Sequence, residues 1–234
     1  DYLKLSLKIY FSYLGCMIAM ELLNYLEEFI SENRKERFTE ILSQRTNYIT
    51  VAVEDVYQMH NTSAVVRSCE SFGVQTAHLI EGKYGKRLDE EIAMGAQKWV
   101  DIKRYQNSKE AIDTLKNKGY KIVATSPHAD SSLLQDFKLN GKTALFFGTE
   151  KNGLSDYVLE NSDASLKIPM VGFTESLNIS VSAAIILQHV TTQLKSSNID
   201  WQLTEDELWE RRLDWTKKSI KSIDDILERY KSDN

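Results

Sequence analysis

Short apolar runs alternate with helical stretches through the middle of the chain, and that order admits few folds. Tyr48-Ile49-Thr50-Val51-Ala52-Val53 is rich in β-branched residues and reads as a strand. Asn61 to Phe72 reads as a helix, stopped at Gly73, where a left-handed backbone costs glycine little. Thr76 to Ile80, Lys98 to Ile102, Lys121 to Thr125, Thr143 to Phe147 and Ser165 to Ile168 read as further strands. Ser108 is placed to cap a helix through Ala111, Ile112 and Leu115 that ends at Gly119. A long apolar helix runs from about Asn178 to Val190, with Ala183, Ile186, Leu187 and Val190 on one face. The expected fold is therefore α/β, a mainly parallel sheet with helices on both faces.

Helical patterns flank this region. From Met20, Leu22, Leu26, Phe29 and Ile30 share a face opposite Glu27, Glu28 and Glu32, and a short second helix follows through Phe38, Ile41 and Leu42. Thr204-Glu205-Asp206-Glu207 has capping-box form, and Ile220, Ile223, Leu227 and Tyr230 make an apolar stripe at helical spacing. The expected organisation is an N-terminal helical extension over 20–46, a central domain over 47–197 and a C-terminal helical extension over 198–234. Residues 1–19 are open to three readings: an alternating strand, a signal peptide, or upstream sequence before a true start at Met20. The last is favoured, because Ser12 and Gly15 interrupt the apolar run and no clean cleavage site follows it.

Composition excludes more than it selects. Hydrophobic residues at 42% and charged residues at 27% suit a domain with a real core, and only 10 Gly and 2 Pro argue against linker-dominated architecture. The formal net charge of −5 gives a nucleic-acid reading no help, so any phosphate contact must come from local basic clusters. Three stand out: Arg34, Lys35 and Arg37; Lys83, Lys86 and Arg87; and Arg211, Arg212, Lys217, Lys218 and Lys221. Cys16 and Cys69 make no framework, and His60, His78, His128 and His189 have no metal-ligand spacing. A reducing, cytoplasmic setting fits best.

Three segments carry more polar and glycine residues than plain connections need. His60 to Arg67 enters the first helix, where Asn61 is placed to cap it and a helix N-terminus favours an anion. Leu145 to Ser155 follows a buried strand, and its glycines allow a ligand close to the backbone. It is neither a Walker loop nor a dinucleotide fingerprint. Ile168 to Ser180 enters the last helix, with Ser176 or Asn178 as its cap.

The order of these segments is more specific than any one of them. Asn61-x-x-Ala64-x-x-Arg67, then Phe147-Gly148-x-Glu150-x-x-Gly153-Leu154-Ser155, then Ile168-Pro169-Met170 with Ser176-Leu177-Asn178-x-Ser180, resembles the three motifs of the SpoU/TrmH branch of the SPOUT methyltransferases. The likeness runs from about residue 45 to 195 and takes in Gly95 to Val100 and Ala124-Thr125-Ser126. It implies a sheet whose C-terminal part forms a deep trefoil knot, an exception to the rule against knots. It also implies S-adenosylmethionine as cofactor and methylation of a ribose 2′-hydroxyl in RNA.

Because only short helical extensions flank the domain, the likeness is greatest to the tRNA guanosine-18 2′-O-methyltransferases. Methylation of ribosomal RNA is the alternative, and a non-catalytic RNA-binding relative is a second. By resemblance Arg67 engages the hydroxyl and the adjacent phosphate, Asn61 and Asn178 organise the site, Glu150 orients side chains across it, and Ser176 bonds in the same group. The cofactor is expected against backbone around Thr125, Gly148, Ile168, Met170 and Leu177. No metal and no membrane are implied, since the leaving group is already a cationic sulfonium. A homodimer is implied, with the first-motif helix and the helix from Asn178 at its interface.

Overall fold

The computed structural model describes residues 20–83, 95–126, 131–149 and 152–233. Arg45–Gln202 forms one compact unit, and the described residues on either side of it form a second.

In the larger unit a seven-stranded sheet runs in the order β3-β2-β1-β6-β4-β7-β5, every neighbouring pair parallel. Its strands are β1 (Ile49–Glu54), β2 (Thr76–Ile80), β3 (Asp101–Tyr105), β4 (Lys121–Thr125), β5 (Ser132–Leu133), β6 (Thr143–Phe147) and β7 (Ala164–Lys167). Successive side chains of a strand point to opposite faces, and the core divides accordingly. Val51 and Val53 pack with Val65, Val66 and Cys69 of α3 (Met59–Phe72) and Ala183, Leu187 and Val190 of α6 (Ile179–Lys195). Ala52 packs on the other face, with Ala111, Ile112 and Leu115 of α4 (Ser108–Asn117) and Val158 of α5 (Asp156–Glu160). All six residues of β1 are buried, as a central parallel strand requires.

Most expected elements are present, with four local corrections. The third strand begins at Asp101 rather than Lys98, because Gly95, at φ 82°, opens a 3-10 turn over Ala96–Lys98. Trp99 and Val100 supplied the strand-like signal; Val100 is buried just after that turn, and ladder pairing starts where Asp101 N–H donates to Gln75 O. The cap of α4 is Asn107, whose side chain accepts from Glu110 N–H, and this frees the Ser108 hydroxyl for another partner. Asn61 does not cap α3: the helix starts two residues earlier, and Asn61 is buried in its first turn. The last helix extends to Lys195.

The smaller unit contains α1 (described over 20–27), α2 (Glu32–Leu42), α7 (Glu205–Ser219) and α8 (Ile223–Asp233). Ser31 caps α2, and the Thr204–Glu207 capping box forms in both directions. Trp215 is buried edge-on to Phe38 at 5.5 Å. The expected stripe is broken at Ile220, whose extended backbone ends α7, yet Ile220, Ile223 and Leu227 pack with Leu26. Phe29 is exposed rather than on the buried face. The basic clusters here are partly neutralised: Arg212 pairs with Glu27 at 2.5 Å, Lys218 with Asp214, Arg37 with Glu40 and Lys35 with Glu32. Lys86 and Arg87 lie outside the described residues. Among the described residues no helix is long and apolar enough to cross a membrane.

Candidate active site

Ligands of open parallel sheets bind outside the carboxyl ends of the strands. Here β4, β6 and β7 end together at Thr125, Phe147 and Lys167 around a cleft of about 490 Å³. Its walls are completed by the loop through Ile168, Met170, Ser176 and Leu177, and by Ile179, Ser182 and Ile186 of α6. That volume is in the range of small-molecule sites.

The loop leaving β6 is held tightly. Thr149 and Gly153 exchange backbone hydrogen bonds, both 2.9 Å, and Thr149 Oγ1 accepts from Asn152 N–H at 3.0 Å. A Cβ on Gly148 would lie 2.2 Å from the Gly153 carbonyl carbon, so only glycine fits there. Gly153 turns the chain at φ 68°. Thr125 Oγ1 donates to Phe146 O at 2.8 Å, which ties the β4 exit to the neighbouring strand.

A second group joins α3 to α6. Asn178 caps α6, its Oδ1 accepting from Ser180 N–H at 2.8 Å and from Ser180 Oγ at 2.5 Å. Its Nδ2 donates to Asn61 Oδ1 at 3.1 Å, and Asn61 Nδ2 donates to Gln58 Oε1 at 3.1 Å. Arg67 is elsewhere. It is exposed on α3, on a groove of about 450 Å³ lined by Ala64, Ser68 and Phe72 and by Ser180, Val181, Ala184 and Ile185 of α6. This groove and the cleft share no lining residue, and they use different faces of α6.

The structure thus gathers Thr125, Gly148, Ile168, Met170 and Leu177 in one cleft with Ser176, and brings Asn61 to Asn178. It places Arg67 outside that cleft. Glu150 lies outside the described residues.

Residues 48–188 match the SpoU rRNA methylase family. The chain belongs to that family. It is 40% identical over 204 residues to a tRNA (guanosine(18)-2′-O)-methyltransferase of Borreliella burgdorferi, covering 87% of this chain and 94% of that protein. It is 36% identical over 190 residues to the enzyme of the same name from Thermus thermophilus, covering 80% and 98%. The solved A. aeolicus TrmH/SpoU tRNA modifying enzyme superposes with a TM-score of 0.73 at 32% identity, over 81% of this chain and 98% of that one.

Within this SpoU chain the motifs did not point to three charged residues that also line the cleft: Asp156, Lys167 and Glu175. Asp156 opens α5 and Lys167 ends β7, while Glu175 lies in the loop before α6. The signal that finds them is spatial, the convergence of β6, β7 and the 168–178 loop.

Proposed function

We propose that this chain is an S-adenosylmethionine-dependent methyltransferase acting on the ribose 2′-hydroxyl of guanosine 18 in tRNA. The observation that carries the reading is the cleft, which collects five backbone positions expected to hold the cofactor from three separate segments. The tRNA assignment is supported by relatives of that name, matched at 40% and 36% identity over nearly their whole length. The ribosomal alternative is favoured by the family's descriptive name.

The cleft suits the cofactor chemically. Leu166, Ile168, Leu177 and Ile186 offer an apolar wall for a nucleobase, Asp156 and Glu175 oppose cationic groups, and Lys167 opposes a carboxylate. When bound, S-adenosylmethionine supplies a methyl group already activated by its sulfonium charge. The chain must then position a weak nucleophile and help remove its proton. A guanidinium is a poor general base, so the role of Arg67 is to hold the RNA phosphate and the 2′-oxygen rather than to act alone as a base. Asn178 and Asn61 fix the N-terminus of α6 beside the cleft, which Ser176 lines; the motif resemblance assigns Ser176 to the same hydrogen-bonded group and Glu150 to orienting Arg or Asn side chains.

Arg67 and the cleft open on different faces of α6, which supports a homodimer in which one protomer's Arg67 serves its partner's cleft. Val181 and Ile185 are exposed beside Arg67 on that groove, as an interface through α3 and α6 requires. The reading includes a trefoil knot in the C-terminal part of a methyltransferase domain over 47–197, helical extensions on either side, and a cytoplasmic setting. Methyl transfer from labelled cofactor to an unmodified tRNA transcript tests it. Label is expected in the wild-type transcript and absent when guanosine 18 is replaced; equal labelling of both overturns the assignment.

A further inference from the structure

Resting on the cofactor reading, we infer that Glu54 is a positioning residue for the S-adenosylmethionine cleft, acting through Ser155 on the loop that forms one wall. Glu54 is the last residue of β1 and is 4% exposed, and it does not line the cleft. Both of its carboxylate oxygens are engaged. Oε2 accepts from Ser155 N–H at 2.7 Å, and Oε1 accepts from Ser155 Oγ at 2.6 Å and from the Ser108 hydroxyl.

The consequence follows from where the loop begins and ends. It leaves the sheet at Phe147, which the ladder pairs with Val53 of β1, and it returns at Ser155, which Glu54 of the same strand clasps. Two consecutive residues of β1 therefore set the start and the end of the loop. Gly148, Thr149, Asn152, Gly153 and Leu154 between those anchors all line the cleft, and so does Asp156 just beyond. Ser155 is orientationally fixed as well, because its Oγ also caps α5 by accepting from Val158 N–H at 3.4 Å.

A buried carboxylate is costly unless it is fully hydrogen-bonded. An apolar residue at the end of β1 would fill the core without that cost. What the carboxylate supplies is a pair of acceptors that catch the amide and the hydroxyl of one residue together. A neutral amide repeats this only in part: if its oxygen keeps the Ser155 N–H, its N–H₂ faces Ser155 Oγ and the Ser108 hydroxyl, both of which donate to Glu54 and would have to reverse, and the charge-assisted strength is lost.

Calorimetric titration with S-adenosylhomocysteine, alongside KM for S-adenosylmethionine and kcat, tests the inference. Glu54→Gln is expected to raise Kd and the cofactor KM about tenfold, with kcat at saturating cofactor within about threefold of wild type. Ser108→Ala removes a hydroxyl from the same carboxylate but leaves both contacts to Ser155, so its Kd is expected within about twofold of wild type. Wild-type affinity in Glu54→Gln overturns the inference, as does equal weakening by Ser108→Ala, which would make Glu54 a general core residue. Should Glu54→Gln not fold, Ser155→Ala takes its place: a several-fold rise in Kd is expected, and none overturns the inference. Failure of the wild-type protein to bind S-adenosylhomocysteine overturns the cofactor reading itself.

Discussion

Asn178 reaches across 117 positions of sequence to donate its side-chain amide to Asn61 Oδ1 at 3.1 Å, while its own Oδ1 caps α6. One side chain thereby fixes a helix terminus and joins the first motif to the third. The two roles separate by substitution. Asn178→Ala loses both and is expected to lower stability by about 2 kcal/mol. Asn178→Asp keeps the capping oxygen but loses the donor, so it should cost about 1 kcal/mol, roughly half the loss in Asn178→Ala, while methyl transfer falls at least about tenfold. Urea unfolding and single-turnover transfer to tRNA measure the two effects. Full activity in Asn178→Asp would show that the tie to Asn61 is not used.

Glycine is required at 148 and 153 for different reasons, and the two positions should respond differently. At Gly148 an added Cβ meets Gly153 backbone at 2.2 Å, so Gly148→Ala must displace the loop and is expected to abolish measurable binding of S-adenosylhomocysteine. At Gly153 there is open space but φ is 68°, so Gly153→Ala costs only conformational strain, about 1 kcal/mol, with binding retained. Calorimetry on both variants checks the contrast, and equal binding by the two would remove the steric argument.

Arg67 and the cleft belong to separate surfaces of one protomer, which makes catalysis in trans testable by mixing. Arg67→Ala and Gly148→Ala should each be inactive alone, the first by about a thousandfold. Co-refolded in equal amounts, they are expected to form heterodimers that keep one intact cleft opposite one intact Arg67. Random pairing predicts recovery of about a quarter of wild-type activity. No recovery, with heterodimers present by native mass spectrometry, would place Arg67 and the cofactor in the same protomer.

The sheet was legible because strands buried on both faces need continuous apolar runs, and β1, β2, β4 and β6 have them. The start of β3 was not, since Trp99 and the buried Val100 follow a 3-10 turn and look like strand residues. β5 spans only Ser132 and Leu133, too short for any periodicity. In the site, residues identified by motif fell together when backbone position was what mattered, as at Gly148 and Leu177. Contacts made by long-range hydrogen bonds left no pattern. Glu54 and Ser155 are 101 positions apart, and nothing in either local segment marks them as partners. The choice of Asn107 over Ser108 as the cap of α4 was hidden for the same reason, because the Ser108 hydroxyl is drawn to Glu54.

His78 gives the protein a distinct acid sensitivity away from the site. It is buried on β2, its Nδ1 is 2.9 Å from the Tyr105 hydroxyl, and the two rings stack at 5.6 Å. Burial lowers its pKa from the ordinary 6.5 to about 4, with the charges of Lys118 and Lys103 adding to the effect. Below pH 6.5 the unfolded chain takes up a proton at this residue that the folded chain refuses, so stability falls as pH drops from 6.5 towards 4 and levels off below that. Linkage puts the loss at about 2 kcal/mol between pH 7 and pH 5. His78→Gln keeps a polar side chain of similar size and does not titrate, so this part of the pH dependence should vanish while other groups continue to contribute. The measurement is the difference between urea-unfolding free energies at pH 7 and pH 5 in the two proteins. An equal pH dependence in wild type and His78→Gln would mean that the ring is protonated in the fold at pH 5, against its burial between β3 and the sheet core.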